Sequence, residues 1–208
     1  MGDDYRNTKY CPTLDNLAEK KQDVKNSILA VHSRAIDMHR YISDNDKSFK
    51  QAFVQAYNAK CAYCGVPLEN ISWNLFEIDH FIPQTDGRFK YKSEAGYIEN
   101  LVLSCFNCNR AKGDFVIPDK DHYKVHPDGS DVCNTFVRDD DYYIRLSDAS
   151  LGDASVEAFY ERLCLGNQMH RLDYLLMNMR GLRDSLKDKP SAYVLLNQAI
   201  ELMKSKRR

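Results

Sequence analysis

No stretch of the 208-residue chain approaches the roughly 20 consecutive apolar residues that a membrane-spanning helix needs. The opening Met1-Gly2-Asp3-Asp4 lacks the basic-then-apolar pattern of a secretory signal, and Arg6 stands where a myristoylation motif after Gly2 requires Ser or Thr. The expected compartment is therefore the cytosol (a cytoplasmic protein), with no membrane partner. An excess of charge of one sign is also missing: 29 Lys+Arg face 30 Asp+Glu, a formal net charge of −1, so bulk electrostatics does not point to a nucleic-acid or membrane surface. There is no internal repeat and no low-complexity tract. With 43% hydrophobic and 28% charged residues the composition is that of an ordinary globular chain, and its length allows one large domain or two small ones.

Cysteine, by contrast, is plentiful. Seven is a high and odd number for a reducing compartment, where thiolate metal ligation or thiol chemistry is favoured over a disulfide framework. Four of the seven fall in two C-x-x-C pairs, Cys61-Ala62-Tyr63-Cys64 and Cys105-Phe106-Asn107-Cys108, separated by 40 residues. Four soft thiolates in two such knuckles make a closed tetrahedral site for Zn²⁺ with no open position for water, so the metal is read as structural. Gly65 allows the tight turn after the first pair. Cys11, Cys133 and Cys164 have no partner at metal spacing and are expected to pack as small apolar residues.

Hydrophobic spacing divides the chain around this pair of knuckles. Between Thr13 and Ser43, Leu17, Val24, Ile28, Val31, Ala35, Met38 and Ile42 step at helical intervals, predicting one long helix; Ser43-Asp44-Asn45-Asp46 then supplies caps for a second helix over Phe49 to Tyr57. Residues 1–59 are thus a helical N-terminal segment. Residues 60–115 are a compact module. Phe76 to Ile78 and Leu101 to Leu103 read as strands, Pro83 to Glu99 as a loop, and Cys105 to Lys112 as a short helix stopped at Gly113. Residues 116–150 read as a loop and a β-hairpin with the acidic tip Asp139-Asp140-Asp141. Residues 151–208 are helical again, over Val156 to Leu165 closing at Gly166, Leu172 to Leu186, and Ala192 to Met203, before a basic tail at Lys204, Lys206, Arg207 and Arg208. The predicted fold class is α+β, a small strand-rich module embedded between mainly helical segments.

Within the module, Cys61-x-x-Cys64-Gly65 is followed by Asp79-His80-x-x-Pro83 and then by Asn100-Leu101-x-x-x-Cys105-x-x-Cys108-Asn109-x-x-Lys112-Gly113. From Cys61 to Gly113, about a quarter of the chain, this order resembles the HNH endonucleases, in particular their zinc-bearing four-cysteine members. The resemblance implies a ββα-metal fold in which His80 is the general base that takes a proton from the attacking water, a task suited to an imidazole of ordinary pKa near 6.5. It implies that Asp79 and Asn109 hold a catalytic divalent ion, Mg²⁺ or Mn²⁺, which favours such oxygen donors. Asn100 would brace the backbone carrying His80, and Lys112 and Arg110 would contact phosphate oxygens. Asn109 stands where the founding members have a third motif histidine, making this an H-N-N variant.

The function implied is metal-dependent hydrolysis of phosphodiester bonds by an HNH endonuclease, with DNA as the expected nucleic-acid partner. The alternative is a zinc-stabilised nucleic-acid or protein binding module without catalysis. Residues 60–113 carry six Lys+Arg and six Asp+Glu, so the module is expected to bind a duplex weakly by itself and to depend on a protein partner. The layout loosely resembles the small HNH subunits of prokaryotic anti-phage systems such as Septu, which implies an ATPase subunit as that partner. His32 and His39 read as surface residues of the long helix, while His122 and His126, just after the module, are weak candidates for facing substrate.

Overall fold

The computed structural model describes residues 4–43 and 47–207. The first helical segment is three helices, α1 (Leu17–Val31), α2 (Met38–Ser43) and α3 (Lys47–Ala56). The long helix expected over residues 13–43 is therefore broken. Its apolar stripe survives in Val24, Ile28, Met38 and Ile42, all buried, but Val31 is 69% exposed because the chain leaves α1 there. His32 turns back to stack on Tyr41, with ring centroids 4.5 Å apart, and the amide of Ala35 donates to the His32 carbonyl. Periodicity continued across a turn that it could not register. The expected cap at Asp44-Asn45-Asp46 lies outside the described residues, as do Met1-Gly2-Asp3 and Arg208.

Residues 4–16, before α1, are not helical. Arg6 is buried, pairs with Asp4 at 2.7 Å, and donates from Nη1 to the carbonyls of Ala62 and Pro127 at 2.6 and 2.8 Å. Tyr5 donates its hydroxyl to the Tyr63 carbonyl, and Lys60 Nζ donates to Asn7 Oδ1 at 2.9 Å. These bonds strap the N-terminal residues over the first cysteine knuckle. Gly65 makes the fit possible: it sits at φ +77°, and a Cβ there would lie 2.9 Å from the backbone of Arg6.

Two strands follow, β1 (Phe76–His80) and β2 (Leu101–Cys105), paired antiparallel with Phe76 opposite Cys105 and His80 opposite Leu101. Helix α4 (Phe106–Lys112) runs directly out of β2 and stops at Gly113, whose φ of +53° and N–H bond to the Asn109 carbonyl form the expected glycine cap. Short helices α5 (His122–Val125) and α6 (Val132–Thr135) lead into the hairpin β3 (Phe136–Arg138) and β4 (Ile144–Leu146), whose turn carries the three aspartates.

Three helices complete the fold: α7 (Ala154–Arg162), α8 (Gln168–Ser185) and α9 (Pro190–Arg207). The expected closure at Gly166 comes earlier, because Cys164 itself takes the left-handed conformation (φ +51°). Gly166 serves close approach instead: a Cβ there would meet the Tyr160 hydroxyl at 2.3 Å. One apolar core runs from Tyr5 through α1 and α3, the four knuckle cysteines and both strands to Phe159 and Leu165. Half-buried Cys133 packs against this core as expected, Cys11 is half-buried outside it, and Cys164 is exposed and does not pack as a small apolar residue. Among the described residues no helix is long and apolar enough to cross a membrane.

Candidate functional site

Backbone bonds bring the two knuckles together. The amide of Cys61 donates to the Val66 carbonyl, that of Gly65 to the Cys61 carbonyl, and that of Ala62 reaches across to Leu103 on β2 at 2.7 Å. Cys61 and Cys64 thereby face Cys105 at the end of β2 and Cys108 in the first turn of α4. All four side chains are buried, and their sulfurs lie within 4.8 Å of one another, with Cys64 Sγ and Cys105 Sγ 3.9 Å apart. A tetrahedral Zn²⁺ with about 2.3 Å bonds to sulfur sets its thiolates about 3.8 Å apart. The cluster therefore fits a metal such as zinc.

The second constellation lies at the far end of β1. Asp79, His80 and Asn109, with His39, Gln84 and Arg110, line a cleft of about 400 Å³. Alternation along a regular strand would send Asp79 and His80 to opposite faces, but His80 ends the strand and both reach the cleft. Asn100 stands behind it. Its Oδ1 accepts from the Ile82 amide at 2.8 Å, and its Nδ2 donates to the carbonyls of Ile82 and Ala95, each at 2.9 Å. A buried carboxamide making three bonds to two stretches of backbone ties the loop after His80 to the short helical turn Lys92–Gly96 that precedes β2.

Asp79 is buried and accepts one bond at each oxygen: Tyr63 Oη donates to Oδ2 at 2.6 Å and Lys112 Nζ to Oδ1 at 3.1 Å. Lys112 also donates to the His80 carbonyl at 2.7 Å and is only 1% exposed. It therefore does not reach out towards phosphate as expected. The last turn of α4 packs on β1, and the buried carboxylate captures the ammonium group. Arg110 does face solvent, with one bond to Glu77 at 3.1 Å and its guanidinium over the Phe106 ring. Glu77, two residues before Asp79 on the same face of β1, also accepts from Asn109 Nδ2 at 2.5 Å. Asn109 Oδ1, the atom that a cation would use, accepts no hydrogen bond among the described residues. Each carboxylate oxygen of Asp79 retains a second lone pair. These donors suit a hard divalent ion bound by few protein oxygens.

Burial raises the pKa of Asp79 against the opposing pull of Lys112 and Tyr63. His80 is pushed the other way, down to about 3, by burial first and then by His39 and Lys112, so its imidazole is neutral throughout the physiological range. Burial also lowers His126 and His170. Such histidines must take up protons on unfolding once the pH falls below their ordinary value near 6.5. The stability they contribute is complete above that value and is lost as the pH falls towards the folded-state pKa, by at most about 1.4 kcal/mol per pH unit for each group. The stability difference between the protein and a His80→Gln variant is expected to shrink from pH 7.5 to pH 5 in urea titrations, where effects on the metal cluster cancel. A constant difference would mean that His80 titrates normally.

The structure thus brings Asp79, His80 and Asn109 to one cleft and sets Asn100 and Lys112 behind it. His122 and His126 pack on Phe81, with centroids 5.3 and 4.5 Å from its ring, and do not line the cleft. The sequence reading missed Tyr63, Glu77, Gln84 and His39. Strand alternation from Asp79 could have found Glu77. Nothing in the spacing pointed to His39, whose ring comes from α2 to lie 4.4 Å from that of His80.

The family model described as HNH endonuclease matches residues 61–115. Among curated proteins, the CRISPR-associated endonuclease Cas9 of Corynebacterium diphtheriae is 38% identical over 60 residues, covering 29% of this chain and 5% of that protein. The similarity therefore concerns one domain of a much longer relative. No solved structure matches the chain.

Proposed function

We propose, from the HNH endonuclease domain at residues 61–115, that this chain is a metal-dependent nuclease hydrolysing phosphodiester bonds, with DNA as its substrate. The observation that carries the proposal is the meeting of Asp79, His80 and Asn109 at one cleft. His80, neutral and at the mouth of a strand, takes the proton from a water that attacks phosphorus in line. The P–O3′ bond breaks and the departing oxygen takes a proton from solvent, leaving a 5′ phosphate on one product and a 3′ hydroxyl on the other. Asp79 and Asn109 would hold Mg²⁺ or Mn²⁺, and the bound ion would supply positive charge to the transition state and the departing oxygen. Asn100 keeps the His80 loop in place. Arg110, on the rim, contacts a phosphate of the substrate strand. Lys112 acts from behind, fixing the Asp79 carboxylate and the His80 carbonyl.

Zn²⁺ in the four-cysteine cluster is structural in this scheme, and the catalytic ion is separate from it. Support for a protein partner comes from the charge balance of the domain and from α9, where Val194, Leu195 and Leu202 are each more than half exposed. The loose resemblance of layout to the small HNH subunits of anti-phage systems supports an ATPase subunit as that partner.

Calorimetry separates the two metals. Zinc-loaded protein is expected to bind one Mg²⁺ or Mn²⁺ per chain, and Asp79→Ala should abolish that heat while zinc content stays the same. Unchanged Mn²⁺ binding in Asp79→Ala would remove the ion from this site.

A further inference from the structure

Helix α2 lies outside the stretch that matches the HNH family, yet it contributes a side chain to the cleft. The rings of His39 and His80 lie 4.4 Å apart, centroid to centroid, and 38° from coplanar, closer than most aromatic pairs. His39 is firmly placed. Met38 and Ile42 on either side of it are buried, and Ser43 Oγ donates to the His39 carbonyl at 2.6 Å. At the start of the helix, Asp37 packs against Gly96 in the loop between β1 and β2. A Cβ on Gly96 would lie 3.2 Å from the Asp37 Cα and would displace its carboxylate, so the glycine lets the two segments approach closely.

The opposite constraint on His80 comes from its own loop. The carboxamide of Gln84 meets His80 Nε2 at 3.0 Å. Oxygen and nitrogen of a carboxamide exchange by a half-turn, so Gln84 can pair with Nε2 in either protonation state of that nitrogen. The imidazole is thus held along one edge by Gln84 and over one face by His39. A ring held only at its edge could still swing about that hydrogen bond, whereas a ring covered on a face as well cannot.

We propose that His39 is a positioning residue for His80: α2 completes the active centre by clamping the general base in a single orientation. The proposal rests on the nuclease reading for its consequence in rate, and on the ring contact alone for its consequence in structure. It also assigns a purpose to the helical segment before the domain, which presents one face of α2 to the cleft. A misplacement of about 1 Å in a reacting group can cost about 10²-fold in rate. His39→Ala is therefore expected to lower kcat about 10- to 100-fold with KM for a DNA substrate little changed. His39→Phe, which keeps a flat ring over His80 but no nitrogen, should recover most of that loss.

The test joins steady-state cleavage to nitrogen-15 NMR of the His80 ring in full-length, zinc-loaded protein, for wild type, His39→Ala, His39→Phe and the neighbouring exposed-site control Arg40→Ala. The expected spectrum has one narrow set of His80 ring signals of a single tautomer in wild type, His39→Phe and Arg40→Ala, and broadened or mixed-tautomer signals in His39→Ala. An unchanged His80 spectrum in His39→Ala overturns the proposal whether or not the protein cuts DNA. So does a loss in His39→Phe as deep as in His39→Ala, which would give the nitrogen and not the ring the decisive part. A rise in KM with kcat intact would also overturn it, by making His39 a substrate contact. Absence of cleavage by wild type would count against the nuclease reading alone, and the spectra would still decide the clamp.

Discussion

Removing the metal from the four-cysteine cluster is expected to unfold the centre of this protein. A structural Zn²⁺ contributes about 10–16 kcal/mol in zinc-finger peptides, as much as the entire 5–15 kcal/mol stability of a typical domain. Here the cluster joins the Cys61 turn, the end of β2 and the start of α4, and its four thiols sit inside the main core. Loss of the knuckle would also release the N-terminal strap, because Arg6 and Tyr5 are bonded to the carbonyls of Ala62 and Tyr63. Purified protein should contain one zinc per chain. Cys61→Ser, or treatment with a strong chelator, should lower the thermal midpoint by tens of degrees or abolish cooperative melting. Metal-free protein that melts at the native midpoint would show that the thiols are no more than core filling.

The second large effect is expected at Lys112. Truncating one partner of a buried ion pair leaves the other charge uncompensated and costs about 3–5 kcal/mol. Lys112→Met keeps the length of the apolar stem and removes only the ammonium group, so the penalty falls on Asp79 and on the carbonyls of His80 and Gly113. Burial already raises the Asp79 pKa against the pull of Lys112. Without the lysine, the carboxyl should take up a proton and lose the charge that a divalent ion needs. Lys112→Met should therefore lose both about 3–5 kcal/mol in urea and its Mn²⁺ binding. Adding Asp79→Asn should return a good part of the stability and none of the binding. Equal stability of Lys112→Met and wild type would mean that the ion pair contributes nothing net.

Much of this centre was legible in the sequence because its geometry is local. Two C-x-x-C pairs, a strand ending in Asp79-His80, and a helix starting at Cys105 and stopping at Gly113 all rest on spacings of a few residues, and the structure places each of those elements where the spacing put it. What was not legible depended on contacts between distant segments. The break after Val31 escaped because Met38 and Ile42 resume the same period after the turn. The strap formed by Tyr5 and Arg6 has no periodicity to detect. Lys112 looked like a solvated helix end until Asp79 was found beneath it, and His39 looked like a surface residue until α2 was docked on Gly96. In the last three cases a polar side chain has a partner roughly 30 to 60 positions away, a distance over which sequence pattern carries no orientation.

Cleavage itself is the most direct test of the nuclease assignment. Zinc-loaded protein should nick or linearise plasmid DNA in the presence of Mg²⁺ or Mn²⁺ and not in the presence of EDTA added after loading. General-base catalysis of this kind contributes about 10²–10⁴-fold. His80→Ala should slow the reaction by that factor while its zinc content and thermal midpoint stay within a few degrees of wild type. Cleavage at the wild-type rate by His80→Ala, or no divalent-dependent cleavage of any nucleic acid by the intact protein, would contradict the assignment.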